Sequence, residues 1–281
     1  MTAPRAGPSY CAGQARRYDR DRYLCALFAP AARREALFAL LAFNAEVARI
    51  REAVSEPMLG RIRLQWWRDA IAGIYAGAPP RHAVVEALSL AVERHGLGRG
   101  EFDLLIDARE FDLGDEPPAD MGALVDYAEA TSSTLARLAL GVLGADGEAA
   151  REAARRVGIG WALTGLLRAA PFHARARRRY LPEDRTSAAA VDALFRLTPS
   201  PELAAPVAEV AAAARGHLAQ ARALRPRLAR NALPALLPAT LADGYLKRLR
   251  RAAYNPFDDR IEASPLSLQL RLTVAAALGR Y

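Results

Sequence analysis

The stretch PAARREALFALLAFNAEVARIRE, residues 30–52, decides the fold class of this chain. After Pro30, large apolar side chains recur with the i, i+3, i+4 and i+7 spacing that places them on one side of an α-helix. They are Leu37, Leu40, Leu41, Phe43, Val47 and Ile50. The stretch therefore predicts one long amphipathic helix.

The same spacing continues on both sides of this stretch, and glycine or proline interrupts it about every 20 to 25 residues. Further helices are predicted over residues 57–77, 80–95, 101–113, 120–143, 148–170, 201–228, 235–253 and 265–279. Three starts carry a capping serine close to a proline that suits the first turn, at Ser55-Glu56-Pro57, Ser200-Pro201 and Ser264-Pro265. Alternating runs rich in β-branched residues are absent from the sequence, so we predict an all-α protein.

Residues 171–199 interrupt the helical pattern with a basic run at 175–179, followed by Tyr180-Leu181-Pro182. A loop of this length inside a domain is more often functional or mobile than incidental. No internal repeat, low-complexity linker or charge-block boundary divides the sequence. We therefore predict a single domain over residues 1–281, with residues 1–16 flexible.

Composition and charge narrow the classes of function. Apolar residues make up 52% of the chain and charged residues 25%, which is typical of a globular protein. The net charge of +8 favours anionic partners such as anionic lipid, nucleic acid or a diphosphate-bearing substrate. Cys11 and Cys25 are too few for a disulfide framework or a zinc site, and no apolar run reaches the roughly 18 residues of a membrane span. We expect a protein of a reducing compartment that is neither secreted nor inserted in a membrane.

Asp103 and Asp107 form a DxxxD pair that places two carboxylates on one helical face, with Glu110 one turn further. This pair is a weak candidate for a magnesium site. A solvated acidic face is the favoured interpretation, because no second set of carboxylates is evident on the other helices.

The adjacent Trp66 and Trp67 point about 100° apart on a helix. One of them is predicted to be core, while the other is either core or part of a pocket or partner surface.

Several strings, in chain order, resemble one known family. They are Leu27-Phe28-Ala29-Pro30 with Arg33-Arg34, Phe38-Ala39-Leu40-Leu41-Ala42-Phe43, Leu64 with Trp67-Arg68, Leu105-Ile106-Asp107 with Asp112-Leu113, Asp126-Tyr127, and Leu166-Leu167-Arg168 ahead of Arg179-Tyr180-Leu181-Pro182. Together they resemble the squalene and phytoene synthase family, which condenses two isoprenyl diphosphates head to head. The resemblance implies the isoprenoid synthase fold, a bundle of about ten or more helices around a central cavity.

In active members of that family, two aspartate-rich motifs on facing helices hold magnesium ions that neutralise the diphosphates. The corresponding positions in this chain are Glu46, Ala48, Arg49 and Glu52 in the first motif, and Ala169, Phe172 and His173 in the second. The expected double aspartate is replaced by Ala48-Arg49, and Arg49 would repel a cation. The departures predict a protein without a metal cofactor and without the family's chemistry.

The substituted strings are similar to a non-catalytic branch of the same family, whose members assist the assembly of respiratory complex I. They are Arg17-Tyr18-Asp19, Tyr23-Leu24-Cys25, Ala42-Phe43-Asn44 with Glu46, Val54-Ser55-Glu56, and Thr164-Gly165-Leu166-Leu167-Arg168-Ala169 with Pro171-Phe172-His173. This resemblance implies an accessory factor whose partners are complex I subunits or assembly intermediates. Its expected location is the cytoplasm, with peripheral contact at the inner membrane, in a bacterium, or the mitochondrial matrix in a eukaryote.

The alternative is an active phytoene- or squalene-synthase-type prenyltransferase that binds magnesium through Glu46, Glu52 and the helix of Asp103 and Asp107. Under either interpretation, an isoprenyl diphosphate or a lipid is a candidate ligand. The candidate binding residues are Tyr23, Arg34, Trp67, Arg68, Tyr127, Arg168, Arg179 and Tyr180. An apolar tunnel ending at Arg34 and Arg168 would indicate retained prenyl binding.

The basic run at residues 175–179 suits contact with an anionic membrane surface. Nucleic-acid binding is not expected, because aromatic residues do not interleave the run and no recognised module accompanies it.

Overall fold

The computed structural model describes residues 9–145 and 147–281, and every regular element in these ranges is helical. The α-helices are α1 (Tyr10–Tyr18), α2 (Arg20–Ala26), α3 (Ala31–Ala48), α4 (Pro57–Tyr75), α5 (Ala83–His95), α6 (Arg99–Ala108), α7 (Met121–Ala128), α8 (Thr134–Leu143), α9 (Glu148–Arg168), α10 (Ala170–Arg175), α11 (Ala188–Phe195), α12 (Pro201–Ala223), α13 (Leu233–Leu236), α14 (Pro238–Arg251) and α15 (Pro265–Ala277). The predicted all-α class is confirmed. None of these helices is both long enough and apolar enough to cross a membrane, within the described ranges.

Two long helices organise the core. The six apolar side chains that predicted α3 are all buried, and the middle of α3 is buried on every side because α1, α2, α5 and α8 pack around it. α9 packs against α7, α8, α12 and α14. A π-helical turn (Glu129–Ser133) joins α7 to α8 and also lies against α9. The cavity described below lies where the C-terminal ends of α3 and α9 come together.

The helix starts follow the predicted capping chemistry at two of the three signals. Ser200 Oγ accepts the Leu203 N–H at 3.2 Å, and Ser264 Oγ accepts the Ser267 N–H at 3.3 Å. At the third signal, Glu56 occupies the N-cap position of α4, and it makes no side-chain capping bond. Pro57 therefore lies in the first turn of α4 as predicted, but the predicted cap by Ser55 is not formed.

Two predicted segments differ from the structure. The irregular segment 171–199 contains most of α10 and all of α11, and α11 begins where Ser187 Oγ accepts the Ala190 N–H at 3.2 Å. Of the residues predicted to be flexible, 1–8 lie outside the described ranges, whereas 10–16 belong to α1. Ser9 caps α1 and Ala15 is fully buried, so the structure places residues 10–16 in a packed helix.

Candidate functional site

A cavity of about 720 Å³ lies between the end of α3, the π-helical turn, the end of α9, α10 and the segment that follows α10. It brings together the two stretches that correspond to the family's aspartate-rich motifs. Ala48 and Glu52 line it from the first stretch. Ala169, Phe172 and His173 line it from the second. Five of the seven motif positions thus face one common space, whereas Glu46 and Arg49 do not line it.

The groups around this cavity do not fit a magnesium cluster, which needs several carboxylate oxygens around each ion. Glu52 is the one carboxylate at the five motif positions that line the cavity, and it forms an ion pair with Arg49 at 3.4 Å. The Arg49 guanidinium also lies 3.8 Å from the ring centroid of Tyr18. Within residues 9–145 and 147–281, no three His, Cys, Asp or Glu side chains are grouped as a metal site requires.

The carboxylates of the prenyltransferase alternative do not converge. Glu46 lies in a separate groove beside Trp66 and Trp67, with its Oε2 3.6 Å from His82 Nε2. Asp103 is 2.9 Å from its ion-pair partner Arg99, and Asp107 is 2.7 Å from Arg68. The DxxxD pair is therefore a salt-bridged surface face, and the structure does not bring the carboxylates of the alternative together.

A buried polar network forms one wall of the cavity around Asp112. Its Oδ1 accepts hydrogen bonds from the Tyr127 hydroxyl at 2.8 Å and the Tyr180 hydroxyl at 2.7 Å. Arg109 donates to Asp112 Oδ2 at 3.2 Å and to Asn44 Oδ1 at 3.2 Å. Burial and the Asp112 carboxylate both raise the pKa of Tyr127 and of Tyr180. Both tyrosines therefore stay protonated and keep donating to Asp112.

More arginines than carboxylates line the cavity, and two of these arginines also pair outside it, Arg22 with Asp19 at 3.1 Å and Arg51 with Asp115 at 3.6 Å. Four arginines line it against the two carboxylates of Glu52 and Asp112, and they are Arg22, Arg51, Arg109 and Arg178. His173 adds no charge near neutral pH, because burial and the nearby Arg178 lower its pKa to about 4. Arg51 Nε and Arg109 Nε are buried donors without a hydrogen-bond partner. Guanidinium groups that line a cavity can hold phosphate oxygens without a metal ion.

An apolar pocket continues from the floor of this cavity. Arg22, Ser132 and Trp161 line both spaces, and Arg22 Nη2 donates to Ser132 Oγ at 2.8 Å. Beyond them lies a space of about 50 Å³ whose walls are mostly aliphatic, including Leu37, Leu41 and Leu135. The site thus offers a cationic chamber followed by a narrow apolar end.

Two of the predicted binding residues, Tyr127 and Tyr180, line the cavity, and their role in binding stays a prediction. Three others are engaged elsewhere. Tyr23 stacks on Phe38 at 5.1 Å, Trp67 is buried against Phe43, and Arg68 pairs with Asp107 and Glu110. Trp66 is 40% exposed, so the prediction that one tryptophan of the pair is core is confirmed.

The three predicted binding arginines, Arg34, Arg168 and Arg179, contact other groups of the protein. Arg168 pairs with Asp21 at 3.1 Å and Glu262 at 2.9 Å, and its guanidinium lies 3.5 Å from the ring centroid of Tyr245. Arg34 Nε donates to the Ala29 carbonyl, and Arg179 pairs with Glu183 at 3.2 Å. None of these three lines the cavity, and their role in binding stays a prediction. Arg22, Arg51 and Arg109, which no local sequence signal singled out, line the cavity instead.

An all-α fold enclosing a cavity between the ends of two long helices is the architecture of isoprenoid synthases. The chain superposes on a squalene synthase, HpnC from Alicyclobacillus acidocaldarius, with a TM-score of 0.77 at 18% identity, covering 88% of this chain and 94% of that one. It superposes on a dehydrosqualene synthase with a TM-score of 0.83 at 18% identity, covering 96% of this chain and 95% of that one. These likenesses establish the fold.

The family profile for squalene/phytoene synthase matches residues 15–271, and the chain belongs to that family. It is 34% identical to NADH dehydrogenase (ubiquinone) complex I, assembly factor 6 of Bos taurus, over 97% of this chain and 82% of the relative. The human protein of the same name is 32% identical, over 97% of this chain and 82% of the human protein. A presqualene diphosphate synthase of Rhodopseudomonas palustris is 32% identical over 55% of each chain. The resemblance to the assembly-factor branch is thereby confirmed.

Proposed function

We propose that this chain is a non-catalytic member of its family that acts as an assembly or accessory factor for respiratory complex I. One observation supports this most directly. Five of the positions that correspond to the aspartate-rich motifs of active members face a common cavity, but they carry Ala48, Ala169, Phe172 and His173, with Glu52 bound to Arg49. The relatives named complex I assembly factor 6 match almost the whole chain, which supports the same role.

The cavity holds an anionic amphiphile, a lipid or an isoprenyl phosphate, without a metal ion. Its head group binds the guanidinium groups of Arg51, Arg109 and Arg178, and the first part of its chain passes Trp161 toward the apolar end. Guanidinium groups present paired donors that match phosphate oxygens. Because the charge is supplied by arginine, neither catalysis nor magnesium is needed for binding.

Deletion of the gene in its own organism is expected to lower NADH-dependent oxygen consumption severalfold, while succinate-dependent consumption is unchanged. The physical reason is that succinate oxidation enters the respiratory chain without complex I. Complementation with a Glu46→Gln, Glu52→Gln variant is expected to restore NADH respiration, since neither carboxylate is part of a metal site. Polarography on isolated membranes, with carotenoids and hopanoids quantified in parallel, measures these outcomes.

Normal NADH respiration together with depleted C30 or C40 isoprenoids in the deletion strain would favour the prenyltransferase instead. The purified protein provides an independent check. With magnesium and farnesyl or geranylgeranyl diphosphate, it is expected to make no squalene or phytoene. Pyrophosphate release that disappears in Glu52→Gln would overturn the non-catalytic assignment.

A double substitution Arg51→Gln, Arg178→Gln is expected to weaken binding of a prenyl thiodiphosphate at least about tenfold, because two charge-assisted contacts to the phosphates are lost. Calorimetry measures the affinity with and without magnesium, and the metal should make no difference. Arg175→Gln is the matched control, since Arg175 is exposed and does not line the cavity. Equal weakening in the control, or binding that requires magnesium, would contradict the metal-free site.

A further inference from the structure

The C-terminal helix α15 has two apolar sides. Leu268, Leu272 and Ala275 are buried against the domain. The other side carries a row of aliphatic residues four positions apart, 49% to 78% exposed, namely Leu266, Leu270, Val274 and Leu278. We call this row the α15 ridge. At 1.5 Å per residue it is about 18 Å long.

Exposed basic residues lie on α14, the helix that packs against α15. Lys247, Arg250 and Arg251 occupy exposed positions in the last turns of α14 and have no ion-pair partner within the described part of the chain. Arg271 of α15 lies against α14, with its Nη1 3.0 Å from the position that a Cβ on Gly244 would take. We call these four residues the basic edge.

Few carboxylates offset this charge. α15 contains no Asp or Glu. The acidic residues nearest in the chain are mostly neutralised, since Asp243 pairs with Arg222 at 2.5 Å, Glu262 with Arg168, and Asp258 with Arg260. Asp259 is the remaining acidic residue of the segment between α14 and α15. The α15 ridge is thus accompanied, on two helices packed together, by exposed basic residues that few carboxylates offset.

We propose that the α15 ridge and the basic edge dock on an anionic lipid bilayer. A row of aliphatic side chains gains from burial among acyl chains, and neighbouring arginines and lysines gain from anionic head groups. A second copy of this chain is a poorer partner for this surface, because pairing two ridges would bring two basic edges together and their like charges would repel. This surface is separate from the cavity and goes beyond the proposed assembly role.

The basic run at residues 175–179, expected to meet the membrane, is largely engaged within the protein. The Arg177 guanidinium lies 5.4 Å from the ring centroid of Phe195. Arg178 Nη2 donates to the Gly114 carbonyl at 3.1 Å, and Arg179 pairs with Glu183. The structure therefore favours the α14 and α15 surface for membrane contact.

Vesicle co-sedimentation tests the proposal with the full chain. The wild-type protein should bind vesicles of phosphatidylcholine mixed with phosphatidylglycerol and not vesicles of phosphatidylcholine alone. Substituting Leu266→Gln, Leu270→Gln and Leu278→Gln together should weaken binding at least about tenfold, because three apolar side chains no longer gain from insertion. Lys247→Gln, Arg250→Gln and Arg251→Gln together should weaken it similarly and remove most of its salt dependence.

The matched control is Met58→Gln, Ile62→Gln on α4, which removes side chains 60% and 58% exposed at another surface. Binding by this variant should equal that of the wild type. All the substituted side chains are exposed, so melting temperatures should be unchanged and report correct folding. Equal loss in the control, undiminished binding by the ridge variant, or a dimer in light scattering that the ridge variant dissociates would each overturn the proposal.

Discussion

Gly158→Ala is expected to lower the free energy of unfolding by about 3 kcal/mol, at the upper end of what overpacking usually costs. Gly158 lies on α9 where this helix crosses the π-helical turn. A Cβ at this position would lie 2.5 Å from Ser133 Oγ and 2.6 Å from the Ser133 backbone N. Because part of the obstacle is backbone, no side-chain rotation relieves the contact. The two helical segments must move apart.

Urea unfolding followed by circular dichroism measures this loss, and Gly216→Ala is its matched control. Gly216 lies inside α12 with nothing within 4 Å of the position its Cβ would take. That substitution should raise stability by up to about 1 kcal/mol, since alanine favours the helix more than glycine does. If Gly158→Ala were as stable as the wild type, the close approach of α9 to Ser133 would be wrong.

The close approach also fixes part of the cavity wall. Ser133 Oγ donates to the Arg155 carbonyl of α9 at 2.7 Å. Its neighbours Thr131 and Ser132 line the cavity from the same π-helical turn. π-helical turns inside α-helices are frequent at functional sites. A separation of α9 from this turn would therefore change the shape of the cavity as well as the stability of the fold.

The helical fold could be predicted from the sequence because each signal is local. The spacing of apolar residues in α3 depends on the helix alone, and Ser200 and Ser264 cap their helices through neighbours three residues away. The same kind of signal was present at Ser187, but α11 is only 8 residues long and follows the basic run. Its few helical turns gave too little periodicity to distinguish it from a loop.

The charged groups of the cavity could not be predicted in the same way. Arg22, Arg51, Arg109 and Arg178 come from four distant parts of the chain and meet only after packing. Conversely, Arg168 was a reasonable candidate in the sequence, but Asp21 and Glu262 neutralise it from 147 and 94 residues away. A local signal for the polar wall did exist, namely the run Thr131-Ser132-Ser133-Thr134 between two apolar helices.

Asp112→Ala is expected to lower the free energy of unfolding by about 3–5 kcal/mol, which is the usual cost of removing one partner of a buried ion pair. The side chains of Asp112 and Arg109 are only 8% and 12% exposed. Without the carboxylate, Arg109 stays buried without its counter-ion, and the hydroxyls of Tyr127 and Tyr180 lose their acceptor. Denaturant unfolding measures the loss. The exposed Asp126→Ala on α7 should change stability by no more than about 0.5 kcal/mol.

A double-mutant cycle separates the ion pair from simple loss of packing. Adding Arg109→Met to Asp112→Ala removes the unpaired charge, so the double variant should be more stable than the sum of the two single effects predicts. Strict additivity would mean that Arg109 and Asp112 do not stabilise each other.

Asp112→Asn tests whether stability and ligand binding oppose each other in this cavity. Asparagine keeps an oxygen that can accept from Tyr127 and Tyr180, so the fold should lose less stability than in Asp112→Ala. The substitution also removes one of the two carboxylates that offset the four cavity arginines. The cavity becomes more positive, and a prenyl thiodiphosphate should bind more tightly even though the protein is less stable. Weaker binding in Asp112→Asn would instead mean that Asp112 positions Arg109 for the phosphate, and that this positioning outweighs the added charge.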